Sequence, residues 1–228
     1  MVAPIRFLLS AGTVLLMAGT AAAQGQPMEP QPIGLSIGLR FGYGIPGGKL
    51  GRLAAGADNT SLSEGVKGMV PFGLDLGFRL MPHLAVGATV QYGLGLANED
   101  MGGCKDCDID VVGIGAAVYA HALPGGKFDP WAGLGLGYEI LSISNKQLEG
   151  EAQAKLEGFQ FLIVQAGGDF ATGGPITLGP FFSVSLGKYD KAKVTFNPGN
   201  GPMTLSRDVQ ETAWHHWVTA GIQGSFNF

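Results

Sequence analysis

Eight segments of this chain alternate, residue by residue, between apolar side chains and small or polar ones. They are Ile33 to Gly44, Val70 to Leu80, Leu84 to Leu96, Asp110 to His121, Trp131 to Ile143, Gly158 to Phe170, Ile176 to Gly187 and Trp214 to Phe228. In an extended chain successive side chains point to opposite faces, so each segment predicts a β-strand with two unlike faces. Each is about the 9–11 residues that a tilted strand needs to cross a bilayer, or slightly more.

The faces are cleanest in four strands. Ile33, Leu35, Ile37, Leu39, Phe41 and Tyr43 oppose Gly34, Ser36, Gly38, Arg40 and Gly42. Phe72, Leu74, Leu76, Phe78 and Leu80 oppose Gly73, Asp75, Gly77 and Arg79. The third and seventh segments repeat the pattern, while Leu141, Phe161 and Ile163 interrupt it in the weaker fifth and sixth. The connections alternate in length. Met81 to His83, Ala122 to Pro130 and Ala171 to Pro175 are short and carry the Pro and Gly of tight reversals. Ile45 to Met69, Ala97 to Ile109, Ser144 to Glu157 and Lys188 to Ala213 are longer.

Alternation alone leaves open which face is outside. A soluble lipocalin-like barrel puts the apolar face inward; a membrane barrel puts it toward lipid. Here the other face is mostly glycine and serine, and charged residues are only 14% of the chain against 46% hydrophobic. Such a face is a poor coat for a water-facing sheet. It suits the narrow interior of an eight-stranded barrel, which small side chains keep uncrowded. Aromatic residues gather at strand ends, with Phe41, Tyr43, Phe72, Tyr92, Trp214 and Trp217 toward the outer side and Phe78, Trp131, Phe170, Phe226 and Phe228 toward the periplasm. They predict two interface girdles.

Residues 1–23 have the layout of a cleaved signal peptide: a short start with Arg6, an apolar run from Phe7 to Met17 and Ala21-Ala22-Ala23 before Gln24. No cysteine follows directly, so a lipoprotein anchor is not expected. The expected organisation is then a short periplasmic segment, 24–32, and one barrel, 33–228. Loss of Arg6 leaves 13 basic against 18 acidic residues, a mildly acidic chain without basic runs and with no case for nucleic-acid binding.

The chain resembles the small eight-stranded outer-membrane proteins of the OmpA/OmpX/OmpW type. The resemblance rests on the strand pattern and on a last strand that ends in Phe226-Asn227-Phe228. It implies an all-β, antiparallel, up-and-down transmembrane barrel in the outer membrane of a Gram-negative bacterium, with both ends and the short turns in the periplasm. It further implies Phe226 and Phe228 as part of the signal read by the barrel-assembly machinery, and outer-membrane lipid and lipopolysaccharide as surroundings.

Candidate site residues follow from parity. Arg40, Asp75, Arg79, Glu139 and Asp169 fall on the inward face with Gln91, Gln165 and Gln223. Charges at membrane depth must face protein or water and find partners. These eight predict a packed polar network plugging the lumen, with a polar lining for a narrow path as the alternative. Cys104 and Cys107 in the second long loop predict a small disulfide, since export is oxidising and tetrahedral zinc needs four ligands. Asp106, Asp108 and Asp110 are expected to be a solvated acidic stretch, without the glycine and glutamate spacing of an EF-hand. His215 and His216 point to opposite faces as strand neighbours and do not chelate one metal. No serine follows them before Ser225, so the lipid-hydrolase pattern of some small barrels is not met. No metal, cofactor or catalytic residue is expected. The function expected is a non-enzymatic structural or surface-interaction role through the long loops, its extracellular partner not readable from sequence. The alternatives are a narrow porin-like channel for small or apolar solutes and a soluble secreted ligand binder.

Overall fold

The computed structural model describes residues 34–51, 61–98, 107–145, 151–197, 203–209 and 211–228. The expected signal peptide, the 24–32 segment and Cys104 lie outside them.

Nine strands and one short helix, α1 (Leu62–Gly65), make up the described chain. The strands are β1 (Gly34–Gly48), β2 (Val66–Met81), β3 (Leu84–Ala97), β4 (Cys107–His121), β5 (Phe128–Asn145), β6 (Glu151–Ala171), β7 (Ile176–Asn197), β8 (Met203–Asp208) and β9 (Trp214–Asn227). All pairings are antiparallel. β1 to β7 pair in sequence, β9 pairs with both β7 and β1, and the sheet closes into an eight-stranded barrel. Closure removes the unpaired edge that lipid does not tolerate. No described helix is long and apolar enough to cross a membrane.

The apolar face is outward. Leu39, Leu134 and Ile222 are 66%, 62% and 66% exposed, whereas Glu139, Gln165 and Thr219 are buried inside. A soluble barrel with an apolar interior is thereby excluded, since this belt has no partner except hydrocarbon.

The turns on one end are tight. Gly173, at φ +88°, makes the β6–β7 reversal, and Thr172 Oγ1 donates to the Ile176 carbonyl at 2.8 Å across it. At the other end the sheet runs past the barrel. β6 and β7 are 21 and 22 residues long, well beyond a bilayer crossing. β8 pairs with the distal part of β7, from Lys191–Asp208 to Phe196–Met203. Two bulges set the faces here. One at Phe161 turns Ile163 inward, against the central lumen. The other, at Asp190, flips the parity of β7: Leu178, Phe182 and Leu186 face lipid, but Ala192 is buried inside and Lys191 and Lys193 face out. These bulges explain the off-pattern Phe161 and Ile163. Leu141 is instead an inward residue of a buried apolar cluster at the outer end.

Candidate functional site

Polar side chains converge in the lumen, and strand parity puts them there. The eight inward residues expected from sequence divide into three tiers along the bore.

The tier at the short-turn end holds Arg79 and Asp169. Arg79 Nη1 donates to the Pro82 carbonyl at 2.6 Å, tying the strand to its own turn. Gln223 Nε2 donates to Asp169 Oδ1 at 2.7 Å. Beside them His121 Nδ1 lies 2.9 Å from Asp129 Oδ2, and the Leu123 amide donates to Asp129 Oδ1 at 3.0 Å. A cavity of about 250 Å³ occupies this half, bounded by Ser36, Asp75, Arg79, Asp169 and Gln223 and reaching the barrel end at Asn227.

The middle tier is built on Arg40. Its Nε is 2.7 Å from Asp75 Oδ2, and its Nη1 donates to Gln165 Oε1. Thr89 Oγ1 donates to the other Asp75 oxygen. The guanidinium also lies 5.7 Å from the Trp131 ring centre and 5.3 Å from that of Phe181, within cation–π range of both. Gly167 is required here: a Cβ on it would fall 2.4 Å from the Trp131 ring. Above Arg40 a smaller cavity, about 70 Å³, is lined by Gln91, Gln160, Ile163 and Thr219.

The outer tier centres on Glu139, which is 2% exposed. It accepts from Tyr189 Oη, from Trp217 Nε1 at 3.1 Å and from Gln160 Nε2 at 2.6 Å. His215 stacks on Tyr189 with ring centres 4.0 Å apart, and its Nε2 is 3.5 Å from Glu139 Oε1. A carboxylate this deep persists only when its oxygens are met by donors, and here they are. Met69, Val111, Leu141, Leu156 and Trp217 pack around the tier, and Leu50, Leu62 and Val209 close over it from the loops. This cluster covers the smaller cavity, which Met69, Glu139 and Trp217 also line.

Two expectations are corrected. Trp131 and Trp217, assigned to the girdles, are 5% and 2% exposed and point into the lumen. Each shares parity with an inward residue of its strand, Glu139 for Trp131 and Gln223 for Trp217, so alternation carried the signal that strand-end position obscured. Tyr189, Gln160, Thr89, Phe181 and Asp129 also belong to the site and were not singled out. Trp214, Phe78, Phe170, Phe226 and Phe228 face outward. Cys107 begins β4 and is not a free thiol. Asp110 accepts from Tyr92 Oη. Among the described residues no group of three or more His, Cys, Asp or Glu side chains is placed to hold a metal ion.

No protein-family model and no curated protein sequence matches the chain. Solved structures do. A major outer membrane protein from Thermus thermophilus aligns with TM-score 0.57 and 11% identity, over 85% of this chain and 99% of that one. The outer membrane protein AlkL, determined in DMPC bilayers, gives 0.53 and 14%, over 90% and 96%. OprG from Pseudomonas aeruginosa gives 0.51 and 16%, over 85% and 97%. At these identities the likeness is one of fold. With the outward apolar belt and the closed sheet, it gives this chain the fold of a small eight-stranded transmembrane β-barrel, the fold that these outer membrane proteins share.

Proposed function

We propose that the protein is a closed, non-enzymatic barrel that anchors an extracellular sheet for contacts at the cell surface. The observation behind this reading is the Glu139 tier: Tyr189 from β7, Trp217 from β9 and Gln160 from β6 meet a β5 carboxylate inside an apolar shell. A bore packed in this way is suited to holding strands together and not to passing water. The strands beyond it, β6 to β8, are the part of the molecule with surface to offer, because binding residues concentrate on segments held by a rigid scaffold. Planar-bilayer recording tests the reading: a sealed barrel gives no steady conductance.

One observation favours a second reading, a receptor or narrow path for apolar solutes. Ile109, Ile143, Ala154, Val194 and Leu205 stand opposite one another across β4 to β8 and continue the apolar cluster outward. Val194, Phe196, Met203 and Leu205 are exposed on that wall. Partition of a fluorescent apolar probe onto wild type, and its loss in Val194→Ser/Leu205→Ser, distinguishes this reading from pure anchoring.

A further inference from the structure

The cavity at the short-turn end has the walls of a small-molecule site. It reaches the barrel end at Asn227 and Phe228, and Arg40 stands between it and the smaller cavity. Pockets for drug-sized ligands run about 300–1,000 Å³, so one of about 250 Å³ suits a smaller molecule with a single ring. Gly38, Gly77 and Gly87 leave part of its wall without side chains. Tyr119 and Trp131 give it an aromatic wall, their rings edge to face with centres 5.7 Å apart.

One group on that wall is unfinished. Trp131 is 5% exposed, yet its indole Nε1–H has no hydrogen-bond partner. Buried donors are nearly always met in native structures, and one left unmet on a cavity wall points to an acceptor inside it. Asp169 is beside it, outside hydrogen-bond geometry, with Gln223 on its Oδ1. Arg79 lines the same cavity and meets the Pro82 carbonyl through Nη1.

Donors and a carboxylate side by side select the ligand. A ligand carboxylate accepts from Trp131 and Arg79 but faces Asp169. A ligand ammonium suits Asp169 but cannot accept from Trp131. A hydroxyl does both, accepting from the indole and donating to the carboxylate. Water offers the same two-way bonding, but only a ligand with carbon faces also covers the Tyr119–Trp131 wall. We infer that the short-turn cavity binds a neutral, polyhydroxylated ring of monosaccharide size. A pocket entered and left by one mouth needs no flow through the bore, so the inference goes beyond the sealed-barrel reading.

The test titrates the full protein, refolded in a non-glycosidic detergent, by ligand-observed NMR. The neutral probes are D-glucose, N-acetylglucosamine and myo-inositol. Wild type is compared with Trp131→Phe, which keeps a ring and loses the N–H, with Asp169→Asn, and with Ala85→Leu, which puts a larger side chain into the cavity. Gln91→Ala, in the smaller cavity beyond Arg40, is the control. Heat-modifiable gel mobility shows which variants are folded. The expected result is saturable binding of a neutral probe to wild type and to the control. It should be on the order of tenfold weaker in Trp131→Phe and in Asp169→Asn, and lost in Ala85→Leu. A β-linked trisaccharide of the bound sugar separates two sources: tighter binding assigns the ring to the end of a glycan chain, weaker binding to a free sugar. Failure of all three neutral probes to bind wild type overturns the inference. So does undiminished binding in Trp131→Phe and Ala85→Leu, or tighter binding of glycine or ethanolamine than of any neutral probe. No current is recorded, so this outcome is independent of the sealed-barrel reading.

Discussion

Trp217 on β9 donates its indole N–H to Glu139 on β5, 3.1 Å away across the bore. Two strands that are not neighbours in the sheet are thereby joined through the lumen. Replacing Glu139 with Ala leaves Tyr189, Trp217 and Gln160 without their shared acceptor. We expect a loss of about 3 kcal/mol in urea unfolding of the vesicle-inserted protein, and a smaller loss for Glu139→Gln, which keeps one acceptor oxygen. Indifference to Glu139→Ala would mean that the tier is not what fills the lumen.

The pairing test for the middle tier belongs at Arg40 and Asp75. Arg40→Met leaves the Asp75 carboxylate with Thr89 and no cation, and unfolding should be easier by about 3 kcal/mol. Arg40→Met/Asp75→Leu should regain part of that, because no charge is then stranded. Arg79 is a poorer probe, since it donates to the Pro82 carbonyl and reaches Asp129 and Asp169 only at longer range. A double variant no better than the single would show that Arg40 acts through its aromatic contacts with Trp131 and Phe181 instead.

Leu76 and Val90 lie on the outward belt, opposite in parity to Gln91. Leu76→Arg and Val90→Arg should each cost about 2–4 kcal/mol of folding in vesicles if near the midplane, with Gln91→Ala far milder. Equal tolerance would contradict a lipid-facing belt.

Labelling checks the proposal that the sheet of β6 to β8 beyond the barrel is extracellular. A cysteine at Thr204 in β8 should react with an impermeant reagent on intact cells, and one at Thr172 in the β6–β7 turn should not. The reverse pattern would invert the barrel.

All eight barrel strands were legible as alternation, more weakly in the middle ones, because burial on one side and lipid on the other impose a period of two; which face is outward was legible only in the glycine and serine of the other face. What alternation hid lies where that period breaks. The Asp190 bulge shifts the even residues of β7 from lipid to interior, so Ala192, Val194 and Phe196 read as loop and β8 went unseen. Trp131 and Trp217 sit near strand ends, where an aromatic invites a girdle assignment, yet their parity with Glu139 and Gln223 is inward. The lumen residues were named by parity, but their division into tiers depends on side-chain reach across the bore. Gln223 on β9 meets Asp169 on β6, two strands that are not sheet neighbours, and Gln160 reaches Glu139 diagonally across the β5–β6 pair.

The claim of a sealed bore is tested most directly by single-molecule recording of the purified wild-type protein in planar bilayers at high salt. With the Glu139 tier packed and Arg40 bridging Asp75 and Gln165, the account predicts insertion without steady current. Insertion accompanied by steady, ion-selective conductance would contradict it.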